Sequence, residues 1–155
     1  MSKPVLVLDT NVVLDLLHFD DPVARPLLHA LETGRVTCAV TDATVEELRR
    51  VLAYPEFALE LARQVALLEG YQALSMAALP HKGTPSHYGL KPVWSRMPRC
   101  SDPDDQKFLE LAAAAQAQGL VSKDRALLKL RRCCAPRFRI MSPAEAVCWL
   151  NDIDP

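Results

Sequence analysis

Four acidic stretches are spaced along the whole chain: Asp9 in VLVLDTN, Glu46 and Glu47 in TVEELRRVL, Asp102, Asp104 and Asp105 in SDPDDQKFLELA, and Asp124 in LVSKDRALL. Each stands where a strand-like run ends or a helix-like pattern begins. In an open parallel sheet the ligand crevice lies beyond the carboxyl ends of the strands, so acids placed at several such ends converge in one pocket. Converging carboxylates repel one another unless a cation lies between them, and hard oxygen donors suit Mg²⁺ or Mn²⁺. Metal-assisted cleavage of a phosphodiester is the simplest chemistry for such a pocket.

The elements that must position these acids follow from the pattern of apolar residues. Val5 to Leu8 is a short, unbroken, β-branched-rich run that suits a central strand buried on both faces, and Asn11 is a candidate N-cap for a helix carrying Val12, Val13, Leu16 and Leu17. Asp21-Pro22 predicts a second helix start, with a stop near Gly34, and Val36 to Val40 predicts the second strand. Helices are expected from about Thr44 to Leu52 and from about Pro55 past Glu69, the latter with a stripe of Leu59, Ala62, Ala66 and Leu67. His81 to Cys100 contains Gly83, Pro85, Gly89, Pro92 and Pro98 and reads as a long loop, with one short strand near Val93 and Trp94. Pro103 to Gln118 is the clearest helix, ended by Gly119. Leu120-Val121, a helix from Ala126 to Leu130, a strand at Arg139 to Met141 and a capping box at Ser142 to Glu145 complete the order. Alternation of strand and helix predicts one three-layer α/β/α domain over residues 1–155, with a mostly parallel central sheet.

Each acid also has a plain structural use. Asp9 can make an Asx-turn or cap a helix, although Asn11 is available for that task. Thr44 followed by Glu47 fits a capping box, yet helical spacing puts Glu47 at the apolar boundary while Glu46 shares the polar face with Arg49 and Arg50. Asp102-Pro103-Asp104-Asp105 is what a helix start alone demands. Asp105, however, is in register with Phe108, Leu109 and Ala112, and a carboxylate on the buried side of a helix needs a partner. Asp104 is expected to point with Lys107 toward the other side. Ser122 or Asp124 can cap the helix after the fourth strand. The functional case rests on all four acids recurring at equivalent places in the topology.

Composition bounds the answer further. A chain of 155 residues, half of them hydrophobic, builds one substantial core, and a net charge of −1 lacks the whole-chain signature of a strong duplex-DNA binder. Charge is nevertheless uneven: Lys123, Arg125, Lys129, Arg131, Arg132, Arg137 and Arg139 face the single acid Asp124 between residues 123 and 139. A basic margin beside an acidic centre suits a phosphate-backbone substrate, and a solvated helix face is the plainer account of the same residues. The five cysteines include no CxxC pair and no zinc-like spacing to histidine, so they read as reduced thiols. With no signal-like opening and no apolar run of membrane-spanning length, the expected compartment is the cytoplasm.

VLDTNVVLDLL, TVEELRRVLAYPEF, CSDPDDQKFLELA and GLVSKDRALLKL together resemble the PIN-domain ribonucleases, and in particular the bacterial branch described as toxins of toxin-antitoxin pairs. The resemblance runs from Val5 to about Leu130. It implies that metal-binding and catalytic acids fall on Asp9, Glu47, Asp105 and Asp124, with Asn11 and Ser122 supporting the metal site and the substrate phosphate and Asp102 or Asp104 assisting. It also implies RNA as substrate, a homodimer, and a small antitoxin that blocks the acidic groove. The stretch from Ala73 to Arg99 departs from the family pattern in being longer and richer in Pro and Gly.

Two other functions fit parts of the pattern. A phosphatase or phosphotransferase forming an aspartyl phosphate on Asp9 wants a second acid two residues on, where Asn11 stands. A non-catalytic RNA- or protein-binding module gains little from clustered negative charge. His18, His29, His81 and His87 all lie outside the acidic motifs, which disfavours a histidine-based ribonuclease.

Overall fold

The structure, a computed structural model, describes residues 3–77, 97–135 and 137–153. Five short strands form one sheet: β1 (Val5–Leu8), β2 (Thr37–Val40), β3 (Ser75–Ala77), β4 (Gly119–Val121) and β5 (Arg139–Met141). All neighbours pair in parallel, in the order β3-β2-β1-β4-β5. The chain builds outward from β1 to β2 and β3, then returns to the opposite side for β4 and β5. That reversal makes the C-terminal ends of β1 and β4 the switch point of the sheet, where an open α/β fold leaves a crevice.

Helices cover both faces. One layer contains α1 (Thr10–Leu17), α2 (Arg25–Glu32), α3 (Asp42–Leu52), α4 (Leu61–Leu74) and α8 (Pro143–Ile153), packed on Leu6, Leu8, Cys38, Val40, Val121 and Met141. The other contains α5 (Gln106–Ala114), α6 (Arg125–Leu128) and α7 (Arg131–Cys134), packed on Val7, Ala39, Leu120 and Ile140. Because side chains alternate along a strand, each of β1, β2, β4 and β5 supplies both cores, which is why their runs are largely apolar rather than alternating. Leu6, Val7 and Leu120 have almost no exposed surface. Each contributes about 1.5–3 kcal/mol through burial. No helix of the described residues is long and apolar enough to cross a membrane.

Several local expectations need correction. Asn11 does not cap α1: it is exposed within the helix, and Asp9 occupies the N-cap position with extended backbone. Thr44 does not open α3 either. Thr41 is the cap, and the reciprocal hydrogen bonds of the box run between Thr41 and Thr44. Glu47 is therefore free of any capping duty. Asp21 accepts from the Val23 amide in a turn, and α2 starts only at Arg25. Pro55–Phe57 forms a separate 3₁₀ turn, so α4 begins at Leu61 and buries Leu67 and Tyr71, leaving Ala62 and Ala66 exposed. Strand β3 directly follows α4 and has no counterpart among the expected elements. Helix α5 stops at Ala114, well before Gly119, which instead opens β4. The loop expected from His81 to Cys100 and its short strand near Val93 and Trp94 lie outside the described residues, except for the loop's last four positions.

Candidate metal centre

Asp9 ends β1 and its amide donates to the Val121 carbonyl of β4 at 2.9 Å, which pins the switch point shut at backbone level. Its main-chain carbonyl accepts the first bonds of α1, from Val12 and Val13, while its carboxylate makes no capping bond. That carboxylate is buried and accepts instead from Ser122 Oγ at 2.7 Å. Burial pushes its pKa up; bonds from Ser122 and the Thr10 amide oppose the rise, and the nearby Glu47 and Asp124 charges add to it. Ser122 is fully buried and also accepts from the Asp124 amide at 2.9 Å, so one hydroxyl fixes both acids at the ends of β1 and β4.

Asp105 enters from the opposite layer. Asp102 caps the 3₁₀ turn Pro103–Asp105 by accepting from the Asp104 amide at 3.0 Å, and this turn delivers Asp105 to the buried side, where it is 8% exposed. Asp105 Oδ2 is buried without a hydrogen-bond partner. Burial, followed by closeness to Asp124, Asp9 and Asp102, pushes the Asp105 carboxyl up to about 8. Asp124 moves down, because Asp105 and the Ala126 amide stabilise its charged form. Asp105 and Asp124 titrate as a pair, in which burial and mutual repulsion disfavour two charges at once.

One carboxylate oxygen from each of Asp102, Asp105 and Asp124 lies within 4.8 Å of the other two. That spacing would let the three residues hold a hard divalent cation, which takes oxygen ligands. An orphaned buried oxygen, a carboxyl whose pKa burial and neighbouring acids push up, and an all-oxygen donor set fit such an ion. Among the described residues no ion pair reaches Asp9, Asp102, Asp105 or Asp124.

Glu47, on α3, is engaged differently. Its Oε1 lies 2.6 Å from Lys107 Nζ, and its Oε2 accepts from Thr10 Oγ1. Lys107 is thus turned toward the centre, contrary to the expectation that it would face the other side with Asp104. Glu46 is exposed and pairs with Arg49 at 3.5 Å. Asn11 is exposed on the first turn of α1 and makes no side-chain hydrogen bond among the described residues. Sequence reasoning missed Thr10, Lys107 and the pair formed by Asp15 and Lys123, in which a buried carboxylate holds the ammonium at 2.8 Å. Asp15 did carry a signal, being a lone acid inside the apolar run VVLDLL. Gln106 was also missed: it bonds the Cys100 amide and the Pro98 carbonyl, tying residues 98–100 to the mouth of the site.

A family model described as PIN domain matches residues 5–126. The chain belongs to the PIN domain family. PIN domains are in general metal-dependent nucleases that use divalent ions, and this PIN domain carries its acidic triad at the sheet's switch point. No curated protein and no solved structure matches the chain. The vicinal thiols of this PIN domain divide between core and surface: Cys134 is buried, Cys133 is exposed, and all five cysteines are free.

Proposed function

We propose that this PIN domain is an endoribonuclease that hydrolyses phosphodiester bonds of single-stranded or structured RNA with Mg²⁺ or Mn²⁺, and that it is the toxin component of a toxin-antitoxin pair. The observation that carries the reading is the triad of Asp102, Asp105 and Asp124 oxygens, in which Asp105 also has a buried Oδ2 without a hydrogen-bond partner. A divalent cation held there lowers the pKa of a water and offsets charge on the scissile phosphate.

The chain's own residues supply the rest. Asp102, Asp105 and Asp124 would supply the first carboxylate oxygens, and Asp9, outside that group of three but bonded to Ser122, and Glu47, from α3, would complete the acidic centre. Ser122 donates to Asp9 and accepts from the Asp124 amide, so it holds both acids in register and favours the charged form of Asp9 against its burial. Asp105 would have to be deprotonated to hold the ion, against the burial and neighbouring acids that push its pKa up. Asn11, exposed two residues after Asp9, is taken to meet a substrate phosphate, a role supported by the likeness of the DTN motif to the family. Arg125, Lys129 and Arg132 are exposed on the α6–α7 margin and attract the RNA backbone. The likeness of the DTN, DPDD and SxD motifs to the toxin branch supports a cytoplasmic homodimer restrained by a small antitoxin that covers the acidic groove.

Cleavage of end-labelled single-stranded RNA by purified protein in Mn²⁺, Mg²⁺ or EDTA tests the reading. Metal-dependent products that disappear in Asp9→Asn and Asp105→Asn are expected. Cleavage that persists in EDTA sinks the metal-dependent mechanism.

A further inference from the structure

Glu47 differs from the other acids of the centre in one respect: it already has a cation. Lys107 Nζ lies 2.6 Å from Oε1, and the Thr10 hydroxyl binds Oε2, so both carboxylate oxygens are in use. The contact is sheltered, the Lys107 and Glu47 side chains being 23% and 15% exposed. Three elements converge to make it: Thr10 follows Asp9 on α1, Glu47 lies on α3, and Lys107 stands two residues after Asp105 on α5. Thr10 and Lys107 each lie within two residues of an acid of the centre and both bind Glu47, while Asp102, Asp105 and Asp124 form their triad without Glu47.

We propose that Lys107 is a resident cation of the acidic centre, standing where a second divalent ion would otherwise bind, so that the centre takes one metal ion rather than two. The inference rests on the metal-dependent reading above and specifies its stoichiometry. Glu47 is then a positioning residue: it anchors the Lys107 ammonium and, through Thr10, the start of α1 beside Asp9. A second ion at Glu47 would have to displace an ammonium and leave it unpaired in a half-buried site, at the cost of desolvation and like-charge repulsion. The fixed positive charge of lysine needs no metal and is present in the free protein.

Mn²⁺ counting by electron paramagnetic resonance on the full chain tests this without any activity readout. Wild type is expected to bind one Mn²⁺ per chain. Lys107→Met, which keeps the length of the side chain and removes the charge, is expected to bind a second ion and to hold the first about tenfold more tightly. Adding Glu47→Gln to Lys107→Met should return the count to one, and Lys107→Arg should leave it at one. A merely structural role for the pair would alter the melting temperature and leave the count unchanged. If Lys107→Met fails to fold, Lys107→Gln takes its place: a second ion in that variant supports the proposal, and one ion in wild type and variant alike overturns it. Two ions in wild type, or one unchanged ion in folded Lys107→Met, also overturn it while leaving the metal reading intact. No Mn²⁺ bound by wild type defeats both.

Discussion

Asp105→Asn separates the cost of the acidic centre from its use. Asp105 has a pKa of about 8 against an ordinary value of 3.8, mainly because it is buried among carboxylates. Keeping such a carboxyl protonated at pH 7 costs about 4 kcal/mol, at about 1.4 kcal/mol per pH unit. Water at the mouth of the site, where Asp102 is exposed, screens the interaction and reduces the usable figure to about 1–2 kcal/mol. Asparagine is neutral at every pH and can still donate to Asp124, so the metal-free variant should melt about 3–6 °C above wild type at pH 7. The sign follows from the raised pKa. Folding favours the protonated form, so the Asp105 contribution is complete below about 3.8 and is lost as pH rises to about 8. The advantage of asparagine should therefore vanish near pH 4 and be largest at pH 8. The assay is thermal unfolding in EDTA from pH 4 to 8, repeated with Mn²⁺ at about one hundred times its Kd. Wild type should gain about 2.7 kcal/mol from the ion and the variant almost nothing. A variant that is less stable without metal, or that keeps the full Mn²⁺ gain, refutes the reasoning.

Other outcomes follow from single interactions. Mn²⁺ affinity of wild type should rise about tenfold per pH unit between pH 6 and 8, because the Asp105 proton must leave; isothermal titration in two buffers measures the proton released, and a flat profile contradicts the pKa of about 8. Ser122→Ala leaves Asp9 buried with no side-chain donor and strips the Asp124 amide of its acceptor, so chemical denaturation should show a loss of about 1–3 kcal/mol. Leu120→Ala opens a cavity under α5 in a strand that is fully buried, and about 2–5 kcal/mol should be lost in the same experiment. Replacing Arg125, Lys129 and Arg132 together by alanine should reduce the salt dependence of RNA binding by about 0.7 in log–log slope for each phosphate that is no longer neutralised, measured by fluorescence anisotropy.

The parts of the fold visible in the sequence are those where one residue type answers one demand. Val5–Leu8 is apolar at every position because β1 is the middle strand with helices on both faces, and Asp105 can be placed on the buried side from its register with Phe108 and Leu109. Ser142 and Glu145 form the expected reciprocal box at the start of α8. Where two residues can meet one demand, local pattern is not enough. Thr41 and Thr44 are both good caps, and only the end of β2 at Val40 decides in favour of Thr41. Strand β3 is three residues at the sheet edge, half-buried at best, so it lacks the apolar run that marks the inner strands. Helix phase places Lys107 away from Asp105, on the solvent side, but its long side chain reaches across to Glu47 on α3. That ion pair joins two distant parts of the chain and has no local signature.

The central claim is that the carboxylates around Asp105 hydrolyse RNA through a metal-activated water. Its most direct test is the chemistry of the ends left on a labelled single-stranded RNA cut by the purified protein in Mn²⁺. Attack by water predicts 5′-phosphate or 3′-phosphate ends without a cyclic product, absent in EDTA and lost in Asp105→Asn. Cleavage that leaves 2′,3′-cyclic phosphates, or that survives undiminished in Asp105→Asn, contradicts the account.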